Sequence, residues 1–464
     1  MRLPSNLVPL VSIFFPDSPL LPSNSTQFAL ESGSATLSAT LSATLSATLR
    51  ASVSTKLSTT LSATPSAKSS AIPTTISVEP SLTSTTPSAT PSATAPAVPA
   101  AKLLLSSAGA YASSLRATYP DPGLALFAEP IWWWQSGSGV DALLTYTATT
   151  GDTQYASLLS STLITEATPA NDFMTVHATG NDDQAWWALA ALTAAETGLA
   201  PAGPVPWATL AQNVFDLQTT RWDNDKCGGG MKWKVLEGDG TDGWHYKSTI
   251  ANGLFFQLAA RLALHTNDAN ITAWAAKSYD WTVSVGLISP DFDVYDGTDD
   301  AKGPNGCVDV NHNMWSYNVG VFMYGAAVMA RLTGEEVWLE RTRGFIASAA
   351  RNFVNAETGE LWEARCEGDG SCDSDQVSFK GTLARWLGAT AEMVPQLRDS
   401  VVEIVGGASS MATAGTAEGL GAIAAFNQLE MASAGLRVQG YGGKEGTIGA
   451  RRVRGVAGRV KWER

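Results

Sequence analysis

The sequence is poor in the residues on which several protein classes depend. Of its 464 residues only four are cysteine and four are histidine, no Cys-x-x-Cys pair occurs, and the histidines are scattered singly. Structural metal sites need such ligands at close spacing, so no metal and no other cofactor is expected. No apolar run reaches the roughly 18 residues that a membrane-spanning helix requires.

Basic residues are also scarce relative to acidic ones. There are 30 lysines and arginines against 43 aspartates and glutamates, which gives a formal net charge of −13. Phosphate backbones and anionic membrane surfaces repel a protein of this sign. Nucleic acid is therefore not an expected partner, and we expect a monomer without a transmembrane span.

The cysteines that are present indicate an oxidising compartment. Their number is even, which fits two disulfides, and the residues are Cys227, Cys307, Cys366 and Cys372. Three pairings are open on the residues alone. The short spacing of Cys366 and Cys372 favours a local bridge between these two.

Two further features favour export. Residues 1–22 carry one arginine and a short apolar stretch that Pro16 and Asp17 interrupt, an imperfect secretion signal. Asn24 and Asn270 begin N-glycosylation sequons. With the acidic charge, these features predict a secreted or cell-wall protein of the endomembrane system.

The chain divides into segments of different composition. Residues 23–100 consist almost entirely of Ser, Thr, Ala, Leu and Pro, with a tandem Ala-Thr-Leu-Ser repeat. Such a composition cannot bury enough apolar surface to fold, and is typical of an O-glycosylated stalk. Residues 101–435 have helical periodicity, and residues 436–464 form a Gly/Arg-rich tail that we expect to be disordered.

The periodicity of the central segment predicts an all-α domain. The predicted helices span 102–118, 138–150, 152–166, 182–197, 206–220, 246–265, 270–286, 315–332, 335–353, 376–391, 393–405 and 415–432. Every second one is apolar or small over most of its circumference, which is typical of a buried helix, and its partners carry a charged face. Six inner and six outer helices predict an (α/α)6 toroid; an irregular α bundle or solenoid is the alternative.

The sixteen tryptophans have two interpretations, a large core or a groove that stacks sugar rings. Core tryptophans would be spread over both helix layers, but many of these lie where inner helices are predicted to begin. That placement favours a carbohydrate-binding cleft. The candidate binding residues at the predicted helix starts are Trp133, Gln184, Trp187, Trp244 and Asp296.

Two adjacent aspartates, Asp182 and Asp183, stand at the predicted start of an inner helix. Acidic residues are favoured there as caps, but Asn181 can already cap, which leaves two spare carboxylates. Adjacent positions can place the carboxyl groups roughly 5–6 Å apart, close to the spacing in retaining glycosidases. An ionised carboxylate would attack, and its charge would keep the other group protonated. The residues alone do not assign the two roles.

The motifs around these residues resemble those of glycoside hydrolase family 76, the endo-α-1,6-mannanases. The matching pieces are N-D-D-Q-A-W-W-A-L-A (181–190), C-G-G-G-M-K-W (227–233), Y-K-S-T-I-A-N-G-L-F-F-Q-L-A-A-R-L (246–262), W-S-Y-N-V-G-V (315–321) and C-D-S-D-Q-V-S-F-K-G-T-L-A-R-W (372–386). They follow the family's order and cover about 130–390. The chain departs from the family in its Ala/Gly-rich region 406–435 and in its basic tail.

The resemblance implies an (α/α)6 fold and retaining cleavage of α-1,6-linked mannan. It implies that Asp182 is the nucleophile and Asp183 the acid/base. It also implies two bridges, Cys227–Cys307 and Cys366–Cys372. The residues that it places along or behind the cleft are Tyr246, Lys247, Asn252, Trp315, Tyr317 and Asn318.

Four functions fit these features. The first is endo-hydrolysis of α-1,6-mannosidic bonds in mannan. In the second, a sugar hydroxyl replaces water, so that a transglycosidase remodels cell-wall mannan or mannose-containing anchors. The third is a wall protein that binds mannan without catalysis. The fourth is cleavage of another sugar, because (α/α)6 folds host many glycosidases.

Overall fold

The computed structural model describes residues 97–238 and 242–442. The predicted secretion segment, the stalk as far as residue 96, the Asn24 sequon and the tail from residue 443 lie outside the described residues. Asn270 is exposed near the start of an outer helix, where the second sequon stays a prediction.

Twelve α-helices make up most of the described residues. Their bounds are α1 Ala101–Ala117, α2 Trp133–Thr150, α3 Ala156–Glu166, α4 Asn181–Thr197, α5 Trp207–Thr220, α6 Thr249–Thr266, α7 Ala269–Ser284, α8 Ser316–Thr333, α9 Glu336–Phe353, α10 Gln376–Met393, α11 Arg398–Ala414 and α12 Ala422–Val438. Within this part of the chain, no helix is both long and apolar enough to cross a membrane.

The even-numbered helices form the inner ring. Each packs against its two even-numbered neighbours, and α12 packs against α2, so the ring closes. Most residues of α4, α6 and α10 are buried around the whole circumference, whereas α9 is buried along one face only. The predicted (α/α)6 toroid is confirmed.

The inner helices begin at one end of the toroid, which we call the entry face. Contacts between the first two turns of different helices show this. Trp134 of α2 lies 6.4 Å from Phe379 of α10, and Trp186 of α4 lies 6.4 Å from Tyr317 of α8, between ring centroids. Loops from all parts of the sequence therefore meet at this face.

A small antiparallel sheet on the entry face was not predicted. It consists of β1 Tyr246–Ser248, β2 Gly297–Asp299 and β3 Val310–Asn311, in the order β1-β2-β3. Because Tyr246–Ser248 pairs as a strand, α6 begins at Thr249 and not at residue 246 as predicted. The Ser248 hydroxyl accepts the Ala251 N–H and so caps the helix.

The prediction was also wrong at the last hairpin. It ended α11 at residue 405, before Gly406-Gly407, but the helix continues to Ala414 and α12 begins only at Ala422. A Cβ atom at Gly407 would lie 1.7 Å from the Gly359 carbonyl oxygen. This glycine serves close packing inside a helix and does not end it.

Candidate active site

The two adjacent aspartates lie in the first turn of α4, on the entry face. The helix begins directly after Gly180, and both carboxylates are partly buried. Asp183 Oδ2 accepts the Gly180 N–H at 2.7 Å and the Thr179 hydroxyl at 3.3 Å. A Cβ atom at position 180 would lie 2.2 Å from Asp182 Oδ1, so a larger residue there would displace this carboxylate.

Asn181 is not the cap that the sequence predicted. The helix starts one residue earlier than expected, so Asn181 already belongs to its first turn. Its side chain is buried, donates to the Lys232 carbonyl at 2.9 Å and accepts from Arg221 at 2.9 Å. Asn181 therefore anchors α4 to neighbouring segments, and Asp183 takes the capping contact with Gly180.

A tryptophan from a distant loop contacts the pair directly. The indole Nε1 of Trp233 donates to Asp182 Oδ2 at 2.9 Å. Asp182 Oδ1 is buried and has no hydrogen-bond partner among the described residues. One oxygen of Asp182 is thus held by the indole, while the other makes no contact with a protein donor.

Stacked aromatic rings lie beneath the aspartates. Trp186 stacks on Trp134 at 5.0 Å and on Trp386 at 5.6 Å between centroids. Tyr317 stacks on Phe379 at 3.8 Å. These rings replace water with apolar surface, which disfavours ionised carboxyl groups.

The electrostatics of the pair follow from this environment. Burial raises the pKa of the Asp182 carboxyl, and the charge of Asp183 raises it further; the Trp233 indole and the Lys234 charge oppose the rise. Burial also raises the pKa of Asp183, against hydrogen bonds from Gly180 and Thr179 and the Lys234 charge. Two coupled carboxyl groups of this kind share one proton over a broad pH range.

Further ionisable groups surround the pair. Burial raises the pKa of Asp375, just before α10, to about 7, and the charges of Asp373 and Asp183 add to the rise. Burial raises the pKa of Asp296 as well. The phenol pKa of Tyr317 is raised by burial and then by the charges of Asp296, Asp182 and Asp375. Acidic groups therefore cluster around the pair.

Six candidate binding residues lie at the entry face with partly exposed side chains: Trp133, Trp244, Tyr246, Asp296, Trp315 and Tyr317. The Tyr246 hydroxyl donates to Asp296 Oδ2 at 2.6 Å, and Asn311 donates to the same oxygen at 2.9 Å. Trp133 stacks on Trp187 at 5.1 Å and donates to Glu166 at 2.7 Å. The aromatic faces of these residues are held by protein contacts.

The other five candidates are fully buried and do not reach the open surface; they are Gln184, Trp187, Lys247, Asn252 and Asn318. Lys247 Nζ pairs with Asp223 at 3.0 Å and donates to the Gly229 carbonyl at 2.6 Å. Asn252 bonds to both the N–H and the carbonyl of Met231. We predicted that these five residues bind substrate; the structure instead places them in supporting positions behind the surface.

Several residues at the site were not among the predicted ones: Thr179, Gly180, Trp233, Lys234 and Asp375. Trp233 and Asp375 lie inside the quoted motifs C-G-G-G-M-K-W and C-D-S-D-Q, so the resemblance could have indicated them as site residues. Their nearness to the pair depends on loops that only the folded chain brings together.

Both predicted disulfides are confirmed. Cys227–Cys307 joins residues 80 apart in sequence, and Cys366–Cys372 closes a loop of six. The first ties the loop after α5 to the loop between β2 and β3. The second lies just before α10, beside Asp375.

The comparison with known families agrees with this geometry. A model described as glycosyl hydrolase family 76 matches residues 110–434. The chain belongs to this family. The match extends through the Ala/Gly-rich region, where α11 and α12 complete the sixth hairpin of the family 76 toroid.

Curated relatives and a solved structure are also similar to this family 76 chain. Mannan endo-1,6-alpha-mannosidase DCW1 of Eremothecium gossypii is 38% identical over 305 residues, covering 63% of this chain and 65% of that protein. DCW1 of Saccharomyces cerevisiae is 37% identical over 286 residues, covering 60% and 62%. The chain thus matches less than two thirds of the length of these relatives. The crystal structure of Dfg5 from Chaetomium thermophilum, in complex with glucosamine, matches with a TM-score of 0.67 and 27% identity, covering 74% and 92%.

Proposed function

We propose that this protein cleaves α-1,6-mannosidic bonds inside mannan chains by a retaining mechanism. One observation carries the proposal: two adjacent, partly buried carboxyl groups share the first turn of an inner helix above stacked aromatic rings. The names of the family 76 relatives, mannan endo-1,6-alpha-mannosidases, supply the substrate class. The partly exposed aromatic side chains of the entry face offer flat surfaces for sugar rings.

The proposed reaction has two steps. In the first, Asp182 attacks the anomeric carbon of a mannose, and the bond to O6 of the next mannose breaks while Asp183 gives its proton to that oxygen. In the second, Asp183 takes a proton from water, whose oxygen attacks the anomeric carbon and releases Asp182. The configuration at the anomeric carbon is retained, because it is inverted twice.

The proposed reaction needs one proton in the pair, carried by Asp183. The pKa of Asp182 is raised by burial and by Asp183, while Asp183 accepts hydrogen bonds from Gly180 and Thr179 that favour its ionised form. Attack requires Asp182 to be ionised, and the Trp233 indole favours this form by donating to Asp182 Oδ2.

The test uses the single variants Asp182→Asn and Asp183→Asn with α-1,6-linked mannan oligosaccharides. We expect each to lower kcat by about a thousandfold or more, because each removes one partner of a two-carboxylate reaction, with oligosaccharide binding largely intact. Asp152→Asn is the matched control, since Asp152 is a partly buried, hydrogen-bonded aspartate after the far end of α2. Cleavage at the parent rate by the double Asn variant would show that the pair is not catalytic.

Transglycosylation is the second candidate, and it uses the same site with a sugar hydroxyl in place of water. The same carboxyl pair serves both reactions, because either water or a sugar hydroxyl can attack the anomeric carbon of the covalent intermediate. Sizing the products from mannan oligosaccharides distinguishes the two: longer chains indicate transfer, and only shorter chains indicate hydrolysis. A binding protein without catalysis would give neither product.

The proposed location is outside the cytosol, in the secretory pathway or at the cell wall. Two disulfides that account for all four cysteines support an oxidising compartment.

A further inference from the structure

Trp233 is held in a fixed orientation against the pair. Its carbonyl accepts the Asn181 N–H at 2.8 Å, and its own N–H donates to the Tyr246 carbonyl at 2.7 Å. The next turn of the loop adds a hydrogen bond from Val235 N–H to the Thr179 carbonyl at 3.0 Å. The loop therefore runs alongside the residues that lead into α4, and the indole has little freedom to leave Asp182.

The chemistry of the indole distinguishes the two forms of Asp182. An indole N–H donates a hydrogen bond and cannot accept one. It therefore stabilises an ionised carboxylate oxygen more than a protonated carboxyl group. Trp233 makes this contact to Asp182 alone, whereas the donors to Asp183 come from Gly180 and Thr179.

Lys234 supplies a positive charge beside the same carboxylates. Its side chain is 8% exposed, its Nζ lies 4.2 Å from the centroid of the Trp233 ring and 3.4 Å from the Thr179 hydroxyl. In the described part of the chain it makes no direct ion pair with a carboxylate. The charge lowers the pKa of both aspartates.

Among the described residues, no other ionisable group around the pair supplies a positive charge to it. The nearby cations are engaged elsewhere. Arg221 donates to Asn181 and Gln184, and Lys232 pairs with Asp300.

Asp375 before α10, Asp296 before β2 and Tyr317 of α8 are acidic. Each ionised neighbour of this kind favours protonated carboxyl groups. Lys234 is the cation whose charge opposes this effect on the two aspartates.

We propose that Trp233 and Lys234 are positioning residues that hold Asp182 in its ionised form at the moment of attack. The indole fixes one oxygen of Asp182 and leaves the other free, and the ammonium, stacked on the indole, offsets the charge of the pair. This inference rests on the proposed function, because it names which group of the pair must lose its proton.

The first test is Trp233→Phe in the full chain, which removes the N–H and keeps an aromatic ring. We expect kcat on mannan oligosaccharides to fall about 10- to 100-fold, the range for one hydrogen bond to a charged group, and KM to change by less than about threefold. The acidic limb of the kcat–pH profile moves to higher pH, because Asp182 loses a contact that favours its ionised form. Trp207→Phe is the matched control: its indole also donates one hydrogen bond, to the Leu199 carbonyl at 3.0 Å, far from the pair.

The second test separates the charge of Lys234 from its bulk. Lys234→Met should move the acidic limb to higher pH in the same way, and Lys234→Arg should restore most of the parent profile. Lys277→Met is the control, because Lys277 Nζ also stacks on a tryptophan, 4.0 Å from the Trp274 ring, but on outer helix α7.

The outcomes separate this inference from the proposed function. If the Asp→Asn variants are inactive while Trp233→Phe and Lys234→Met keep the parent kcat and pH profile, the inference is wrong and the function stands. A loss of kcat with an unshifted pH profile and a lowered melting temperature would show that the residues only maintain the fold, which also overturns the inference. If the Asp→Asn variants remain active, the proposed function itself fails.

Discussion

At the scale of single residues, the loop residue Glu363 stabilises the fold, because its carboxyl group binds the start of a helix. It lies between α9 and α10, is completely buried, and contacts Ser316, the first residue of α8. Its Oε2 accepts the Ser316 N–H at 3.2 Å, and its Oε1 contacts the Ser316 hydroxyl. A carboxyl group in this position caps the helix that carries Tyr317 to the site.

The pKa of Glu363 makes stability depend on pH. Burial raises this pKa from 4.5 to about 8. Between these values the folded protein keeps a proton that the unfolded chain releases, so the free energy of unfolding falls as pH rises through this window. Glu363→Gln should remove that slope and stabilise the protein at pH 7 by about 2–3 kcal/mol.

Denaturant unfolding at pH 5 and pH 7.5 measures this difference. Glu357→Gln is the control, because Glu357 is an exposed residue of the same loop. Its free energy of unfolding should change with pH as that of the parent does. Parallel curves for the parent and Glu363→Gln would contradict the prediction.

At the scale of elements, a buried ionic network joins the helices at which the ring closes. Arg385 of α10 contacts Asp141 of α2 at 2.6 Å and Glu430 of α12 at 2.5 Å, and it donates to the Ser138 carbonyl at 2.8 Å. All three charged side chains are nearly or completely buried. The network links the first and last inner helices through α10.

Removal of the arginine should destabilise the toroid strongly. Arg385→Met leaves Asp141 and Glu430 buried together without a cation, which we expect to lower the free energy of unfolding by about 3–5 kcal/mol. Lys302→Met is the control, since it breaks a fully exposed pair with Asp309 and should leave the unfolding midpoint nearly unchanged. Equal midpoints for the two variants would show that the network does not secure the closure.

At the scale of the whole molecule, the two disulfides differ in how much chain they constrain. Cys227–Cys307 encloses β1, α6, α7 and β2, whereas Cys366–Cys372 closes a short loop. In the chain-entropy model, the stabilisation grows with the length of the closed loop.

Paired Cys→Ser variants test this difference. We expect loss of Cys227–Cys307 to cost about 4 kcal/mol and loss of Cys366–Cys372 about 2 kcal/mol, from the loop lengths alone. Denaturant unfolding of both variants under identical conditions gives the comparison. A larger effect from the six-residue loop would indicate that local strain and packing outweigh chain entropy.

Helix number and order could be predicted because the signal is local. Inner helices such as α4 and α6 are apolar around their circumference, and outer helices such as α9 have one charged face. Boundaries were less predictable where tertiary contacts decide them. Because Tyr246–Ser248 pairs as a strand, α6 begins only at Thr249, and α11 continues past Gly407, which packs closely against Gly359.

The sequence by itself determined the catalytic candidates, since two acidic residues beside tryptophans at a helix start are visible in N-D-D-Q-A-W-W. Only the tertiary structure decided their surroundings. Trp233 lies 51 residues from Asp182 along the chain, and Lys247 is buried although its charge favours the surface. The reason is physical: periodicity reports which face of a segment is buried, whereas contacts between loops depend on how the closed ring brings them together.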